Sequence, residues 1–140
     1  MTLAIGATGD LAACHAIRRA VFIDEQGIAE AEEWDGGDAA AVHLLARLDG
    51  RPVGTARILV EGGTGRIGRV CVLAEARGRG IGAALIGTAL ALLRARPGVT
   101  RAALGAQCRA LGFYEALGFR AVGPVYDDAG IPHREMQRPL

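Results

Sequence analysis

A glycine- and arginine-rich segment, residues 77–82, has the residue types and spacing that could bind an anionic ligand. It follows the β-branched run Val70-Cys71-Val72-Leu73 and leads into an apolar run from Ile81 to Leu93. The first run is typical of a strand and the second of a buried helix, which places the glycines at a helix N-terminus. Free amides at a helix start, with no Cβ atoms nearby, let a phosphate approach the backbone. The segment therefore predicts a phosphate or pyrophosphate site, with a glycine-rich turn before a core helix as the alternative.

Residues that are missing narrow the type of phosphate site. A P-loop requires Gly-Lys-Ser/Thr, and all 16 basic residues of this chain are arginines. A dinucleotide-binding fingerprint fits loosely through Gly78, Gly80 and Ala83, but it requires an acidic residue about 20 positions further on, which this chain lacks. The spacing Arg77-x-x-Gly80-x-Gly82 requires neither that lysine nor that acidic residue, so it remains compatible with a phosphate site.

Length and composition indicate one domain spanning residues 1–140. The chain is 51% hydrophobic and carries a formal net charge of +1, which excludes a polybasic nucleic-acid binder. Its longest apolar run covers about 13 residues, short of the roughly 20 that a bilayer requires, so no membrane partner is predicted. The first ten residues lack the pattern of a secretory signal, and a cytoplasmic location is the expectation.

Cysteines and histidines are dispersed along the chain without metal-ligand spacing. We therefore predict no metal site and expect the cysteines to be reduced thiols in the core. These residues are Cys14, Cys71, Cys108, His15, His43 and His133.

Strands and helices of a mixed α/β (α+β) domain must position the glycine-rich segment. The predicted helix Ile81–Arg94 connects the strand ending at Leu73 to the strand Val99–Leu104, and such a crossover predicts that these two strands are parallel. The predicted elements are a strand Leu3–Ile5, a helix from Asp10 to Phe22, a polar irregular stretch 24–40, strands Val42–Leu48 and Val53–Val60, a strand ending at Leu73, a helix Ile81–Arg94, a strand Val99–Leu104, a helix from about Gln107 to Leu117, and strands Phe119–Val122 and His133–Gln137.

This order of elements, together with the motif at residues 77–82, resembles the GCN5-related N-acetyltransferase (GNAT) superfamily over nearly the whole chain. The segment Phe113–Phe119 is similar to the family's Tyr-x-x-x-Gly-Phe element. The resemblance implies a GNAT fold, a central mixed and mostly antiparallel sheet with splayed parallel strands and flanking helices. Other segments resemble the small bacterial ElaA/YjcF-type subgroup, namely Arg18-x-x-Val21-Phe22, Glu25-Gln26, Glu33-x-Asp35-x-x-Asp38, His43, Gly68-Arg69-Val70 and Ile131-Pro132-His133.

The resemblance implies an enzyme that transfers an acetyl group from acetyl-coenzyme A to a primary amine by direct attack. Backbone amides of residues 77–82 would hold the pyrophosphate, the backbone of strand residues 70–72 would pair with the pantetheine arm, and Tyr114 would protonate the departing thiolate. Packing in the core is the alternative for Tyr114. The implied cofactor-binding residues are Val70, Cys71, Val72, Arg77, Gly78, Arg79, Gly80, Ile81, Gly82, Gln107 and Tyr114.

Four of these positions need comment. Arg77 and Arg79 would add positive side-chain charge near the pyrophosphate. Gln107 stands where the family commonly has an Asn that contacts the cofactor arm, and its amide can form the same kinds of hydrogen bond with a longer reach. Cys71 has no neighbouring His to activate it, so we assign its side chain to packing.

The acceptor side is indicated by an acidic segment. Seven of the fifteen acidic residues lie within residues 24–38, and no Arg occurs from Ala20 to Ala46. The segment predicts a local negative field that attracts a protonated amine, with a solvated acidic loop as the alternative. The candidate substrate-binding residues are Glu25, Glu33, Asp35 and His43, and these with His133 are also the candidates for the general base, among which the sequence does not choose.

Other functions remain open at this level. The domain could be a non-catalytic acyl-coenzyme A sensor, or it could resemble the acyl-homoserine-lactone synthases, which share the GNAT fold. For the enzyme, the acceptor is a small-molecule or peptide amine, and whether the chain forms a homodimer is left open.

Overall fold

Seven strands form one mixed sheet in the computed structural model, which describes residues 2–140. The strand order is β1-β2-β3-β4-β5-β7-β6, and every neighbouring pair is antiparallel except β4 and β5. The predicted mixed, mostly antiparallel sheet is thus confirmed. The strands are β1 Leu3–Thr8, β2 Val42–Leu48, β3 Arg51–Glu61, β4 Thr64–Val72, β5 Arg101–Gln107, β6 Arg120–Asp128 and β7 Ile131–Pro139.

Helices flank the sheet and connect its strands. The helices are α1 Leu11–Arg18, which continues as a π-helix over Arg19–Glu25, then α2 Glu30–Glu33, α3 Ile81–Arg94 and α4 Leu111–Ala116. Short 3-10 turns precede β2, α3 and α4, at Asp38–Ala40, Ala74–Ala76 and Cys108–Ala110. In residues 2–140 no helix combines the length and the apolar content that crossing a membrane would require.

One predicted helix boundary was correct and two were wrong. Asp10 caps α1 as predicted, because its Oδ1 accepts a hydrogen bond from the amide of Ala13 at 3.1 Å. The helical segment does not end at Phe22, since π-helical turns carry it to Glu25. The last helix starts only at Leu111, because the residues before it complete β5 and a 3-10 turn.

The core has two layers, one on each face of the sheet. Neighbouring residues of β2 illustrate this, because Leu44 belongs to the cluster under α3 and Leu45 to the cluster under α1. In the larger cluster, Gly65 on β4 lies so close to α3 that a Cβ atom there would overlap Leu93. The cysteines are all free thiols, and Cys14 and Cys71 are buried under α1. Cys108 is only half-buried, so the predicted core position is wrong for this cysteine.

A gap opens between β4 and β5, the one parallel pair. The two strands pair only at Thr64–Arg66 against Arg101–Ala103. Further along, β4 carries a β-bulge at which Arg69 adopts a left-handed backbone with φ of 52°. Because a bulge bends its strand, residues 67–72 separate from β5 and leave backbone groups without a strand partner on that side. The predicted splay of the parallel strands is confirmed.

Candidate active site

The glycine-rich segment forms the start of α3, as the sequence predicts. Gly78 and Gly80 have φ of 78° and 76°, a left-handed conformation that favours glycine. The first helical hydrogen bond runs from the Ala84 amide to the Gly80 carbonyl at 3.0 Å, and no side chain of residues 2–140 caps the helix. The amides of residues 80–83 are therefore available to an outside acceptor, and a Cβ placed on Gly80 would stand in open space.

The end of β4 lies beside this helix start. The Leu73 amide donates to the Val53 carbonyl on β3 at 2.8 Å, so by strand alternation the backbone of Val72 faces the other way, toward the gap. The side chain of Cys71 is buried among residues of α1 and β2, which raises the pKa of its thiol far above the ordinary range. The assignment of this cysteine to packing is confirmed, and it does not supply a thiolate.

Arg77 is bound within the protein rather than presenting free charge. Its guanidinium forms two hydrogen bonds of 2.6 Å to the carboxylate of Glu25, and its Nε donates to the Val72 carbonyl at 3.0 Å. These contacts lower the pKa of Glu25 and raise that of Arg77. Two expectations are therefore corrected. Arg77 carries a compensated charge, and Glu25 is occupied by Arg77 instead of standing free for an acceptor amine.

A cleft of about 340 Å³ runs along the gap between β4 and β5. Five residues that the sequence analysis singled out line it, namely Glu33, Val70, Gln107, Tyr114 and His133. Gln107 is held at both ends of its amide, because it donates to Gln26 Oε1 and accepts from Arg109 Nε, each at 2.9 Å. The cleft therefore joins the cofactor strand to the helix that carries Tyr114.

Tyr114 lines the cleft from α4. Its ring packs edge-on against Phe113 and Phe119, with centroid distances of 4.9 and 6.0 Å. Burial raises the pKa of its phenol to about 12, so the hydroxyl is protonated at neutral pH. Among residues 2–140 the hydroxyl has no hydrogen-bond partner, which leaves it available to a ligand. Tyr114 packs against the core and also lines the cleft, and its role as an acid stays a prediction.

Glu33 belongs to a buried ion pair. Its side chain is only 2% exposed, and its Oε2 lies 2.7 Å from Arg18 Nε and 3.1 Å from Arg69 Nε. Arg18 is itself 1% exposed. A carboxylate enclosed by two guanidinium groups is not a free acceptor for a substrate amine, which corrects that expectation for Glu33.

Asp35 and Asp38 are paired in the same way. Arg57 Nη1 donates to Asp35 Oδ1 at 2.8 Å and to Asp38 Oδ1 at 3.1 Å, and Arg18 Nη1 donates to Asp38 Oδ1 at 2.8 Å. The hydrogen bonds from Arg57 hold the pKa of Asp35 well below its usual range. Burial alone would raise the pKa of Asp38, but the hydrogen bonds from Arg18 and Arg57 lower it to about 2.

These contacts form an ion-pair network in which three arginines balance three carboxylates. The predicted negative field of the acidic segment is wrong for this part of it, because arginines from α1, β3 and β4 neutralise the acids. The network ties residues 33–38 to the sheet and so fixes one wall of the cleft. Its members are Arg18, Arg57, Arg69, Glu33, Asp35 and Asp38.

We expect the substitution Arg18→Leu to destabilise the protein strongly. Removing this guanidinium leaves Glu33 buried with one partner fewer, and breaking a buried pair costs about 3 to 5 kcal/mol. The matched control is Arg19→Leu, because Arg19 pairs with Glu30 at the surface, where the side chains are 46% and 58% exposed. Urea unfolding should show a much larger loss for Arg18→Leu. Equal losses in the two variants would contradict a structural role for the network.

His43 is also placed differently from the expectation. Its side chain is 6% exposed on β2, and its Nε2 lies 2.9 Å from the Asp38 carbonyl. It does not line the cleft, so the structure does not bring it to an acceptor. Its buried Nδ1 has no hydrogen-bond partner among the described residues.

Two polar side chains of the cleft, Gln26 and Tyr126, had no assigned role in the sequence analysis. Gln26 holds the amide of Gln107, and Tyr126 on β6 stacks on His133 with ring centroids 5.8 Å apart. Tyr126 reaches over β5 at Gly105, where a Cβ atom would overlap its hydroxyl. A glycine inside a strand signals such a close approach, and this was the available clue. No group of three or more potential metal ligands occurs within residues 2–140.

Comparison with known proteins agrees with this geometry. The family profile described as "Acetyltransferase (GNAT) domain" matches residues 17–140. The chain belongs to the GNAT acetyltransferase family.

Individual relatives extend the match over nearly the whole chain. It is 34% identical over 123 residues to the uncharacterized N-acetyltransferase YjcF of Bacillus subtilis, covering 87% of each chain. The crystal structure of Escherichia coli ElaA superposes with a TM-score of 0.85 at 30% identity, covering 98% of this chain and 99% of that one. An acyl-CoA N-acyltransferase from Pseudomonas aeruginosa gives a TM-score of 0.87 at 32% identity, with coverage of 98% and 99%. The expected resemblance to the ElaA/YjcF-type subgroup is confirmed.

Proposed function

We propose that this protein is an acetyl-coenzyme A-dependent N-acetyltransferase acting on a primary amine. Two observations carry the proposal: the uncapped glycine-rich start of α3, which follows β4 in the chain, and the cleft along the gap beside β4, which Tyr114 lines. Family membership supports the acyl transfer, and the name of the Pseudomonas relative supports nitrogen as the acceptor atom.

The residues present fit coenzyme A. Gly78 and Gly80 hold left-handed conformations that leave the amides of residues 80–83 uncapped, and such amides are suited to the two phosphates of a pyrophosphate. The backbone of β4 beside the gap can pair with the amide groups of an extended arm, as an added strand would. When bound, acetyl-coenzyme A supplies an activated thioester carbonyl.

Tyr114 acts as the acid in this proposal. Because its phenol is protonated at neutral pH and faces the cleft, its hydroxyl can give a proton to the sulfur as the carbon–sulfur bond breaks. The packing of its ring against Phe113 and Phe119 fixes where that hydroxyl stands. The acceptor amine approaches from the end of the cleft that is walled by the ion-pair network and β7.

A thiol-release assay with acetyl-coenzyme A and a panel of small-molecule and peptide amines tests this function. Release of free thiol that depends on an amine is the expected result. Binding of acetyl-coenzyme A with no release for any amine would favour the sensor function. Turnover that requires S-adenosylmethionine would favour a lactone synthase.

A further inference from the structure

The general base is the one part of the acceptor site that the sequence left undecided among five residues. The geometry points to His133 as the base that takes a proton from the acceptor ammonium. This inference rests on the proposed function and names a further residue of the same site. His133 lies on β7 opposite Gln107 of β5 and lines the cleft beside the gap. It is therefore on the same cleft as Tyr114 but on a different element.

The contacts of its ring leave one nitrogen available. His133 Nδ1 lies 2.7 Å from the carbonyl oxygen of Ile131, and a carbonyl can only accept, so Nδ1 carries the proton in the neutral ring. Nε2 is then the basic nitrogen. Within residues 2–140 it has no hydrogen-bond partner and it is not among the fully buried unpaired atoms, and because His133 lines the cleft we infer that Nε2 is reached from there.

Packing holds the ring in this orientation. Tyr126 stacks on it with an interplanar angle of 28°, and Tyr126 in turn rests on β5 where Gly105 has no side chain. The residue is 9% exposed and lines the cleft, so most of the ring is enclosed by its neighbours. A base must be positioned as well as basic, and this arrangement fixes its position.

The other four candidates are each engaged or absent from the cleft. Glu25 is bound bidentately by an arginine, Glu33 is buried between two, and Asp35 is hydrogen-bonded by another. His43 lies outside the cleft with its Nε2 on a backbone carbonyl. His133 alone among the five combines a cleft position with an unengaged basic atom.

The proton balance closes with two groups. His133 Nε2 takes one proton from the ammonium and later releases it to solvent. The freed lone pair attacks the thioester carbonyl carbon, the new carbon–nitrogen bond forms and the carbon–sulfur bond breaks. Tyr114 gives its proton to the departing thiolate and is restored by the second proton that the nitrogen loses. One acetyl-coenzyme A and one ammonium thus give one amide, one thiol and one proton.

Neighbouring charges bear on any pH dependence. Those that line the same cleft or contact β7 come from every adjoining element, and a pH profile reflects their field as well as that of His133. They are Glu32 and Glu33 on α2, Arg57 on β3, Arg66 and Arg69 on β4, Arg101 on β5, Cys108 and Arg109 in the 3-10 turn, Tyr114 on α4, Arg120, Tyr126, Asp127 and Asp128 on β6, and Arg134, Glu135 and Arg138 on β7.

The test compares His133→Asn with wild type using an amine that wild type acetylates. Asn retains a donor near the Nδ1 position but has no basic nitrogen. At pH values where the acceptor in solution is still an ammonium ion, kcat/KM of the variant should be about 10² to 10⁴-fold lower than that of wild type, the span for losing a positioned base. The loss should shrink at higher pH, where the acceptor no longer needs a base. The matched control is His15→Gln, a histidine outside the cleft whose Nε2 hydrogen-bonds to Asp38, because the Gln amide nitrogen lies near the Nε2 position and can keep that bond.

Two readouts separate this role from a structural one. Imidazole NMR of the free wild-type protein should show the proton on Nδ1, and the His133 titration should coincide with the acidic limb of the kcat/KM profile, which His133→Asn abolishes. Calorimetry should show unchanged acetyl-coenzyme A affinity in the variant. The assignment would be overturned if NMR placed the proton of the neutral ring on Nε2, or if His133→Asn kept the acidic limb of the kcat/KM profile. It would also be overturned if the loss of kcat/KM were the same at every pH, or if Asp128→Asn abolished the acidic limb. If wild type acetylates no amine, the proposed function fails together with this inference.

Discussion

Replacing Tyr114 by Phe should lower the rate of acetyl transfer by about 10² to 10⁴-fold, the usual span for losing a positioned acid. The ring and its contacts to Phe113 and Phe119 remain in Tyr114→Phe, and the hydroxyl has no partner within the described residues that the change would strand. Only the proton for the leaving thiolate is lost. A single-turnover measurement of the acetyl-transfer step reports this loss even when product release limits kcat.

Two further measurements complete that prediction. Thermal unfolding and acetyl-coenzyme A affinity should be nearly unchanged in Tyr114→Phe, because the substitution affects the chemical step. A better leaving group needs less help, so a thioester with a more acidic thiol should narrow the gap between variant and wild type. An unaltered single-turnover rate in the Phe variant would return Tyr114 to a packing role.

The second large effect is expected at the start of α3. In Gly80→Val the side chain fills the space in front of the uncapped amides and strains a backbone with φ of 76°. Each lost hydrogen bond to a charged phosphate is worth about 1.5 to 3 kcal/mol, so losing two should weaken acetyl-coenzyme A binding by roughly 100-fold or more. Isothermal titration calorimetry measures this directly.

A control on the same helix distinguishes binding from folding. Gly87 is exposed on α3 with no atom near its Cβ position, so Gly87→Val should keep wild-type affinity. Wild type at about 100 times its Kd of acetyl-coenzyme A should gain roughly 2.7 kcal/mol of stability, a gain that Gly80→Val lacks. Wild-type affinity in a folded Gly80→Val protein would remove the pyrophosphate site from residues 80–83.

Local sequence signals predicted the parts of the fold that local geometry determines. The bounds of α3, Ile81–Arg94, were predicted correctly because glycines mark its start and Pro97-Gly98 follows its end. The parallel pairing of β4 and β5 followed from the crossover helix between them. The π-helical extension of α1 carries no comparable signal, and its predicted end at Phe22 was wrong.

Partners of charged residues could not be predicted in this way. Arg57 and Arg69 lie 22 and 34 positions from Asp35, and only the sheet brings them to it. The sequence therefore predicted a negative field for the acidic segment, whereas in the structure three of its carboxylates belong to a neutral ion-pair network. The same limit applied to the histidines, because the sequence does not tell which one faces the cleft.

The most direct test of acetyl transfer follows the acetyl group itself. The protein is mixed with acetyl-coenzyme A carrying a labelled carbonyl carbon and with a panel of amines, and all products are analysed by mass spectrometry after a single turnover. The account predicts the label in an amide of at least one amine, an equivalent amount of free coenzyme A, and no label on the protein. Label that stays in the thioester with every amine, although the protein binds acetyl-coenzyme A, would contradict it.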